Sequence, residues 1–298
     1  MKLKIKGELR AQPDPYIFED NGLFYLYVTG KKAVEMYRTE DIFGEWKYMG
    51  AVCHIENGEN YWAPCVIKIG EKYFMYFSYS CPEECMCVAV SDSAEGPFVF
   101  KRKMLNEFSI DAHVVENETG LYMFYAKDNL EDSRMGTRIY VDKMLDPYTL
   151  KGEPVEVIRP TLDEEIFMKN KYGDGRNWHT IEGPFYFREG AYHYLMYSGA
   201  CYQNDSYHIG YAYAKSEEND LTKLNFIKRT DEIGFSPLLF KNEFEEGTGH
   251  NSLINYNNNY YILYHGRDIG CAGDPENNRT ARICKLKVEN NFLTAERM

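Results

Sequence analysis

No run in the 298-residue chain approaches the roughly 18 consecutive apolar residues that a helix needs to cross a bilayer, so membrane-spanning helices are not expected. The opening Met1-Lys2-Leu3-Lys4-Ile5-Lys6-Gly7-Glu8 alternates charge with apolar groups and lacks the apolar stretch of a secretory signal, which predicts a cytoplasmic protein. Glycine (23) and proline (11) are modest and follow no collagen-like period, which excludes a fibrous class. Basic residues are in deficit. With 34 Lys and Arg against 46 Asp and Glu, the net charge of -12 argues against a dominant phosphate-binding surface, so neither nucleic acid nor a membrane is an expected partner. There is no G-x-S-x-G elbow, phosphate-binding Walker loop or dinucleotide-binding glycine fingerprint. Eight cysteines are too sparse for a disulfide scaffold in a chain this long. The tight group Cys81, Cys85 and Cys87 has neither a fourth ligand nor paired C-x-x-C spacing, so thiols rather than a zinc site are expected there.

What the chain has is aromatic surface to bury. Hydrophobic residues make up 44%, and aromatics 15%, led by 26 Tyr and 17 Phe. One pattern recurs five times: DPYIFEDNGLFYLYVTG from Asp14, WAPCVIKIGEKYFMYFSYS from Trp62, DAHVVENETGLYMFYAKD from Asp111, EGPFYFREGAYHYLMYSGA from Glu182 and GHNSLINYNNNYYILYHGR from Gly249. Each reads as a strand, a tight turn and a second strand. The second strands, such as Leu23 to Val28 and Tyr260 to Tyr264, are apolar on both alternating faces and must be covered on both sides. A third, more alternating run follows most copies, including Val34 to Arg38, Cys87 to Ser91 and Ile209 to Tyr213.

Copy starts lie about 48 to 71 residues apart, close to a propeller blade plus variable loops. The expected fold is all-β, a five-bladed β-propeller forming a single domain over residues 1–298. A β-sandwich is the rival, but it would leave half of each strand polar. The longest stretch without the repeat, about Gly152 to Thr180, is a candidate lid or pocket rim, with an ordinary exposed excursion as the alternative.

Counting back eight or nine positions from the turns at Gly22, Gly70, Gly120, Gly190 and Asn258 reaches Asp14, Trp62, Asp111, Glu182 and His250, which this alignment treats as equivalent. Singly, each carboxylate has a structural reading: Asp14 before Pro15 can start a turn, Asp111 can cap one, and Glu182 can be a loop residue. Their common phase directs them into one funnel. Like charges gathered there resist ionisation, so at least one carboxyl is expected to stay protonated near neutral pH. A proton donor then faces a proton acceptor, the condition for acid–base chemistry on a neutral, polyhydroxylated substrate.

At these residues the chain resembles glycoside hydrolase family 43. The segments Asp14-Pro15, Trp62-Ala63-Pro64, Ile110-Asp111-Ala112-His113 and Ile181-Glu182-Gly183-Pro184 carry the likeness, in that order. The resemblance implies a five-bladed propeller that cleaves arabinose- or xylose-containing oligosaccharides with inversion. It implies Asp14 as general base, Glu182 as general acid and Asp111 as the carboxylate that raises and orients the acid. Gly249-His250-Asn251-Ser252 matches a segment whose histidine sits near the axis and in some members supports a calcium or sodium ion; His250 filling the pore by hydrogen bonds is the alternative. No cofactor is required for the chemistry. Tyr264-His265-Gly266-Arg267 resembles the segment whose arginine contacts substrate hydroxyls, so Arg267 joins the expected site. Trp62 is a candidate wall for the sugar ring, Trp178 a further contact, and His113 a structural residue. An exo-acting α-L-arabinofuranosidase or β-xylosidase is expected, the former slightly ahead because the chain ends soon after its fifth repeat. The alternatives are an endo-acting arabinanase, a sugar-binding propeller without turnover, or an enzyme using phosphate as nucleophile.

Overall fold

Runs of Tyr, Phe, Val, Ile and Met broken by tight turns fold into five sheets in a computed structural model that describes residues 1–7, 11–80, 84–273 and 278–298. Sheet I orders its strands Lys4–Lys6, Glu45–Cys53, Val34–Thr39, Leu23–Val28, Tyr16–Asp20. Sheet II (Tyr61–Ile69, Lys72–Ser80, Glu84–Ser91, Val99–Lys103), sheet IV (Ile181–Glu189, Tyr192–Gly199, His208–Lys215, Ile227–Lys228) and sheet V (Glu245–Tyr256, Asn259–Asp268, Thr280–Glu289, Phe292–Arg297) are four-stranded and in chain order. Sheet III begins with Ile110–Asn117, Gly120–Asn129 and Gly136–Asp146, and its short additions bring it to seven strands. The repeated hairpins and third runs expected from the sequence are the first three strands built around each inner hairpin. At Asn21-Gly22 both turn residues take positive φ (54° and 76°), the requirement of a two-residue turn matched to strand twist.

The inner strands are covered on both faces, as their composition demands. Every residue of Lys72–Ser80 except the two ends is buried. Five apolar clusters fill the spaces between successive sheets: Tyr27 and Met36 against Met75 and Phe77, Tyr76 against Met123, Phe124 against Leu195, Met196 against Ile262, and Leu263 against Leu26. The last cluster seals sheet V to sheet I, so the fold is all-β and propeller-like, and the sandwich alternative does not describe it. The first residues reinforce that seam: Leu3 donates its amide to Ala281 O (3.0 Å) while Lys4–Lys6 pair in parallel with sheet I.

The stretch from Gly152 to Thr180, a candidate lid or rim or an exposed excursion by its sequence, is tied into the sheets. Val155–Ile158, Ile166–Met168 and Trp178–His179 join sheet III. The fully buried Glu165 accepts the amides of Thr161 (2.7 Å) and Leu162 (3.1 Å) and pairs with buried Lys228 of sheet IV. A charge pair removed from water in this way is costly to break, which anchors the excursion to the next sheet.

A shared backbone device sits at the inner end of each sheet. In sheets II to V the first strand slips by one residue between Trp62 and Cys65, Ile110 and His113, Glu182 and Phe185, and Gly249 and Ser252. These are β-bulges, and the residue after the last paired one is left-handed: Ala63 (φ 49°), Asp111 (61°), Gly183 (58°) and His250 (46°). Asp14 (φ 52°) is its counterpart in sheet I, next to Pro13, whose carbonyl accepts the Thr29 amide. The turn-based alignment is therefore off by one for two residues: Trp62 and Glu182 precede the bulge position that Asp14, Asp111 and His250 occupy. The variable turns between the strands absorb the difference, which is why counting from them misplaces it.

Pairing to the neighbouring sheet follows from the bulge, because a left-handed residue turns its amide out of its own ladder. Ala63 N donates to Thr29 Oγ1 (2.9 Å), Asp111 N to Ser78 Oγ (3.0 Å), His250 N to Ser198 Oγ (2.7 Å) and Asp14 N to His265 Nδ1 (3.1 Å). The acceptor lies on the second strand of the preceding sheet or, for Thr29, directly after it. In sheet III the matching residue is Ala126, opposite Ile110, which has no acceptor, and the Gly183 amide goes to Asp111 Oδ2 instead (2.9 Å). Ser198→Ala should leave the buried His250 amide without a partner and cost about 1–3 kcal/mol, read as a lowered midpoint in urea denaturation.

Candidate active site

In an ordinary strand successive side chains point to opposite faces, but the bulge aims neighbours the same way. Ile110 and Asp111 thus both line one cavity of about 140 Å³, together with Asp14, Trp62, Glu182 and His250. Of the residues that the sequence singles out, Asp14, Asp111, Glu182, Trp62 and His250 are brought together. Arg267 and Trp178 do not line this cavity. Buried Arg267 lies behind its wall, donating to the Tyr202 carbonyl (2.8 Å), and Trp178 is buried in sheet III under the Lys171 ammonium, 3.4 Å from its ring centre.

A second tier completes the cavity with Glu84, Tyr202, Tyr207 and Arg279. Three of these share a structural phase. Ser78, Ser198 and His265 pair across to Met86, Ile209 and Ala281, and Glu84, Tyr207 and Arg279 each stand two residues before those partners, at the start of a third strand. The sequence reading aligned only the first strands. Applying the same phase to the starts of the third runs is the signal that finds them.

Asp14 is buried yet held ionised. Burial alone would raise its pKa, but the Arg279 guanidinium, with His250 and His265, outweighs that and keeps the carboxyl well below its ordinary range. Arg279 donates to Oδ1 (3.2 Å) and Thr29 Oγ1 to Oδ2 (2.5 Å). Arg279 also lies over the Tyr202 ring, 5.0 Å from its centre, a cation–π contact that fixes the guanidinium.

Glu182 and Asp111 are shifted the other way. Burial, then the negative charge of Asp14 and Glu84, raises Glu182 to about 7, against the Tyr207 hydroxyl, which donates to Oε1 (2.7 Å), and against Arg279. Burial with the charges of Glu182 and Asp14 drives Asp111 upward as well, while the Gly183 amide opposes. Two interacting carboxyls of this kind share protons as a pair. One face of the cavity therefore carries a fixed anion, and the other a carboxyl still protonated near neutral pH.

His250 places Nδ1 3.6 Å from Asp14 Oδ1 and 3.8 Å from Asp111 Oδ2, and burial lowers its pKa. Among the described residues no group of three or more His, Cys, Asp or Glu side chains is disposed to hold a metal ion. Calcium takes six to eight oxygens, so an ion beside His250 would draw its ligands mainly from water. Below the cavity a narrower space reaches His113, whose Nε2 is bonded to Tyr186 O (3.2 Å), a structural contact. Of the cysteine group, Cys85 and Cys87 are buried thiols directed at backbone carbonyls, and Cys81 lies outside the described residues.

Comparison with known proteins shows the family. Residues 9–292 match the profile of glycosyl hydrolases family 43. An extracellular exo-α-(1→5)-L-arabinofuranosidase of Streptomyces avermitilis is 26% identical over 250 residues, 77% of this chain and 48% of that protein. The chain thus spans about half the length of that relative. A probable arabinan endo-1,5-α-L-arabinosidase A of Aspergillus flavus is 23% identical over 239 residues, 74% of this chain and 66% of its own. The crystal structure of a thermostable family-43 glycoside hydrolase superposes with a TM-score of 0.82 at 28% identity, covering 97% of this chain and 94% of that one.

Gly183 is the bulge position at which a side chain would crowd the cavity wall. At φ 58° an added Cβ would lie 3.2 Å from His250 Nδ1 and 3.4 Å from Ser198 Oγ. Gly183→Ala is expected to destabilise the protein by about 1–2 kcal/mol from the backbone alone, and more from displacing His250. Ala63→Gly, at the equivalent position of sheet II, should stay within about 1 kcal/mol of wild type in the same urea titration.

Proposed function

Because the chain belongs to glycosyl hydrolase family 43, we propose that it is an inverting glycosidase with Asp14 as general base, Glu182 as general acid and Asp111 as the carboxylate that orients the acid and raises its pKa. The observation that carries this reading is the opposite protonation of two carboxyls facing one cavity: Asp14 is held as an anion and Glu182 as an acid up to about pH 7. The five sheets are taken as five blades of one catalytic domain, with the cavity at one end of their axis.

In the reaction Glu182 passes its proton to the glycosidic oxygen as the bond to the anomeric carbon breaks. A water on the opposite face attacks that carbon and gives its proton to Asp14. One water is consumed, the two sugar products separate, and proton exchange with solvent restores both carboxyls. Inversion needs room for the water, so the two carboxyls are expected roughly 6.5–9.5 Å apart. Arg279 keeps Asp14 ionised and stands in the wall of the cavity that receives the sugar. Trp62 supplies a ring face for the sugar.

The proposed substrates are neutral pentose-containing oligosaccharides, with exo-acting α-L-arabinofuranosidase activity first. The activity of the Streptomyces relative and the confined cavity support it. An endo-acting arabinanase is the second reading, favoured by the Aspergillus relative.

The test uses p-nitrophenyl α-L-arabinofuranoside and β-D-xyloside together with an unactivated arabino-oligosaccharide. Asp14→Ala and Glu182→Ala should each lower turnover of the oligosaccharide by about 10²–10⁴-fold, and unchanged rates would reject the assignment. Proton NMR of the first-formed sugar should show the inverted anomer. In kcat/KM the alkaline limb should fall near pH 7, where Glu182 loses its proton. The acid limb should lie below the ordinary aspartate range of about 4, because Asp14 must be protonated before the base fails.

A further inference from the structure

The proposed acid and base are joined by a short chain of contacts that neither the hydrolytic mechanism nor the propeller-like fold by itself requires. Tyr207 donates its hydroxyl to Glu182 Oε1 at 2.7 Å. Its ring lies parallel to the His265 imidazole, with centres 5.6 Å apart and planes 8° from coincident. His265 in turn accepts the Asp14 amide through Nδ1 at 3.1 Å. Tyr207 and His265 are both fully buried. The ring is seated in a slot made by Gly249, where a Cβ would stand 1.9 Å from Tyr207 Cε1. Three sheets meet in this stack: Glu182 and Tyr207 come from sheet IV, Gly249 and His265 from sheet V, and Asp14 from sheet I.

In the other bulge contacts made by a side chain at the end of the second strand or just after it, the acceptor is the hydroxyl of Thr29, Ser78 or Ser198. A hydroxyl would satisfy the Asp14 amide equally well. Only an aromatic acceptor also offers a face for Tyr207, and it stands where the anchored base and the anchored acid must keep a fixed separation. We propose that Tyr207 and His265 are positioning residues that together set the distance and orientation of Glu182 relative to Asp14. This rests on the acid and base assignments given above. Misplacement of catalytic groups by as little as 1 Å can cost about a hundredfold in rate, so the link acts on turnover more than on substrate binding.

The groups that face Glu182 are Asp14 from sheet I, Glu84 from sheet II, Asp111 from sheet III, Tyr207 and Cys201 from sheet IV, and Arg279 and His250 from sheet V. Of these, Tyr207 is the one whose hydroxyl bonds the carboxylate, and its removal disfavours the ionised acid.

The experiment compares wild type with Tyr207→Phe, His265→Asn and the double variant, using α-1,5-linked arabinobiose and p-nitrophenyl α-L-arabinofuranoside. Tyr207→Phe keeps the ring and the slot, so folding is expected to survive; His265→Asn keeps an oxygen acceptor for the Asp14 amide but removes the stacking face. Tyr207→Phe should move the alkaline limb of kcat/KM upward by about one pH unit and lower kcat on arabinobiose roughly tenfold, with KM within about twofold. His265→Asn should likewise lower kcat with little change in KM, and the double variant should lose no more than about the worse single one, because both act through one link. An unmoved alkaline limb with kcat within about twofold in Tyr207→Phe, or fully multiplicative losses in the double variant, would overturn the proposal. Glu182→Gln supplies the separate control: wild-type turnover of arabinobiose by that variant would sink the acid assignment itself, whatever the Tyr207 variants do.

Discussion

The backbone amide of the left-handed bulge residue is the group on which this architecture turns. A residue at φ near +50° withdraws its amide from its own ladder, and a buried amide without an acceptor costs about 1–3 kcal/mol. The preceding sheet supplies the acceptor, so one local irregularity does two things. It bends the first strand so that side chains gather in one cavity, and it joins each sheet to the next. Non-glycine residues pay roughly 1–2 kcal/mol to adopt that conformation. That Ala63 does so with no polar side chain in play indicates that the bulge is kept for the fold as a whole, and that Asp14, Asp111 and His250 exploit a position already built.

Opposite protonation of two nearby carboxyls then follows from which bulge each belongs to. Both are desolvated, which alone would push both pKa values up. Asp14 sits at the seam of sheets I and V, where Arg279, Thr29 and His265 converge on it. Glu182 has a single hydroxyl donor and faces three other carboxylates in the same cavity. The asymmetry lies in the partners and not in the carboxyls.

Much of this was legible in the sequence, because strand periodicity and turn chemistry are local. The five hairpins, their buried inner strands and the convergence of Asp14, Asp111 and Glu182 all follow from patterns within some twenty residues. The bulge was not legible: it inserts one residue relative to a partner strand, and a count from the turn absorbs that insertion silently. Trp62 and Glu182 were therefore assigned one position out. The choice of Arg267 failed to reach the cavity for a related reason. It belongs to the end of a second strand, behind Tyr202, whereas the cavity takes its arginine from the start of the third, across a connection whose path no local pattern specifies. Trp178 could not be placed either, since its stretch becomes added strands of sheet III held by the distant Lys228.

Sheet III shows how structural and chemical demands meet in one group. Its second strand offers Ala126 where the other sheets offer a hydroxyl or an imidazole, so the Gly183 amide turns to Asp111 Oδ2. A carboxylate taking a structural hydrogen bond is thereby fixed beside Glu182, the residue before Gly183, and cannot rotate away without orphaning a buried amide. Were Ala126 a serine, the joint would be complete without Asp111, and that carboxylate would be free to choose another rotamer or to relax its repulsion with Glu182. The missing hydroxyl keeps the third carboxyl fixed beside the second. The irregular joint is thus the one in which a cavity carboxyl itself completes the backbone pairing between two sheets.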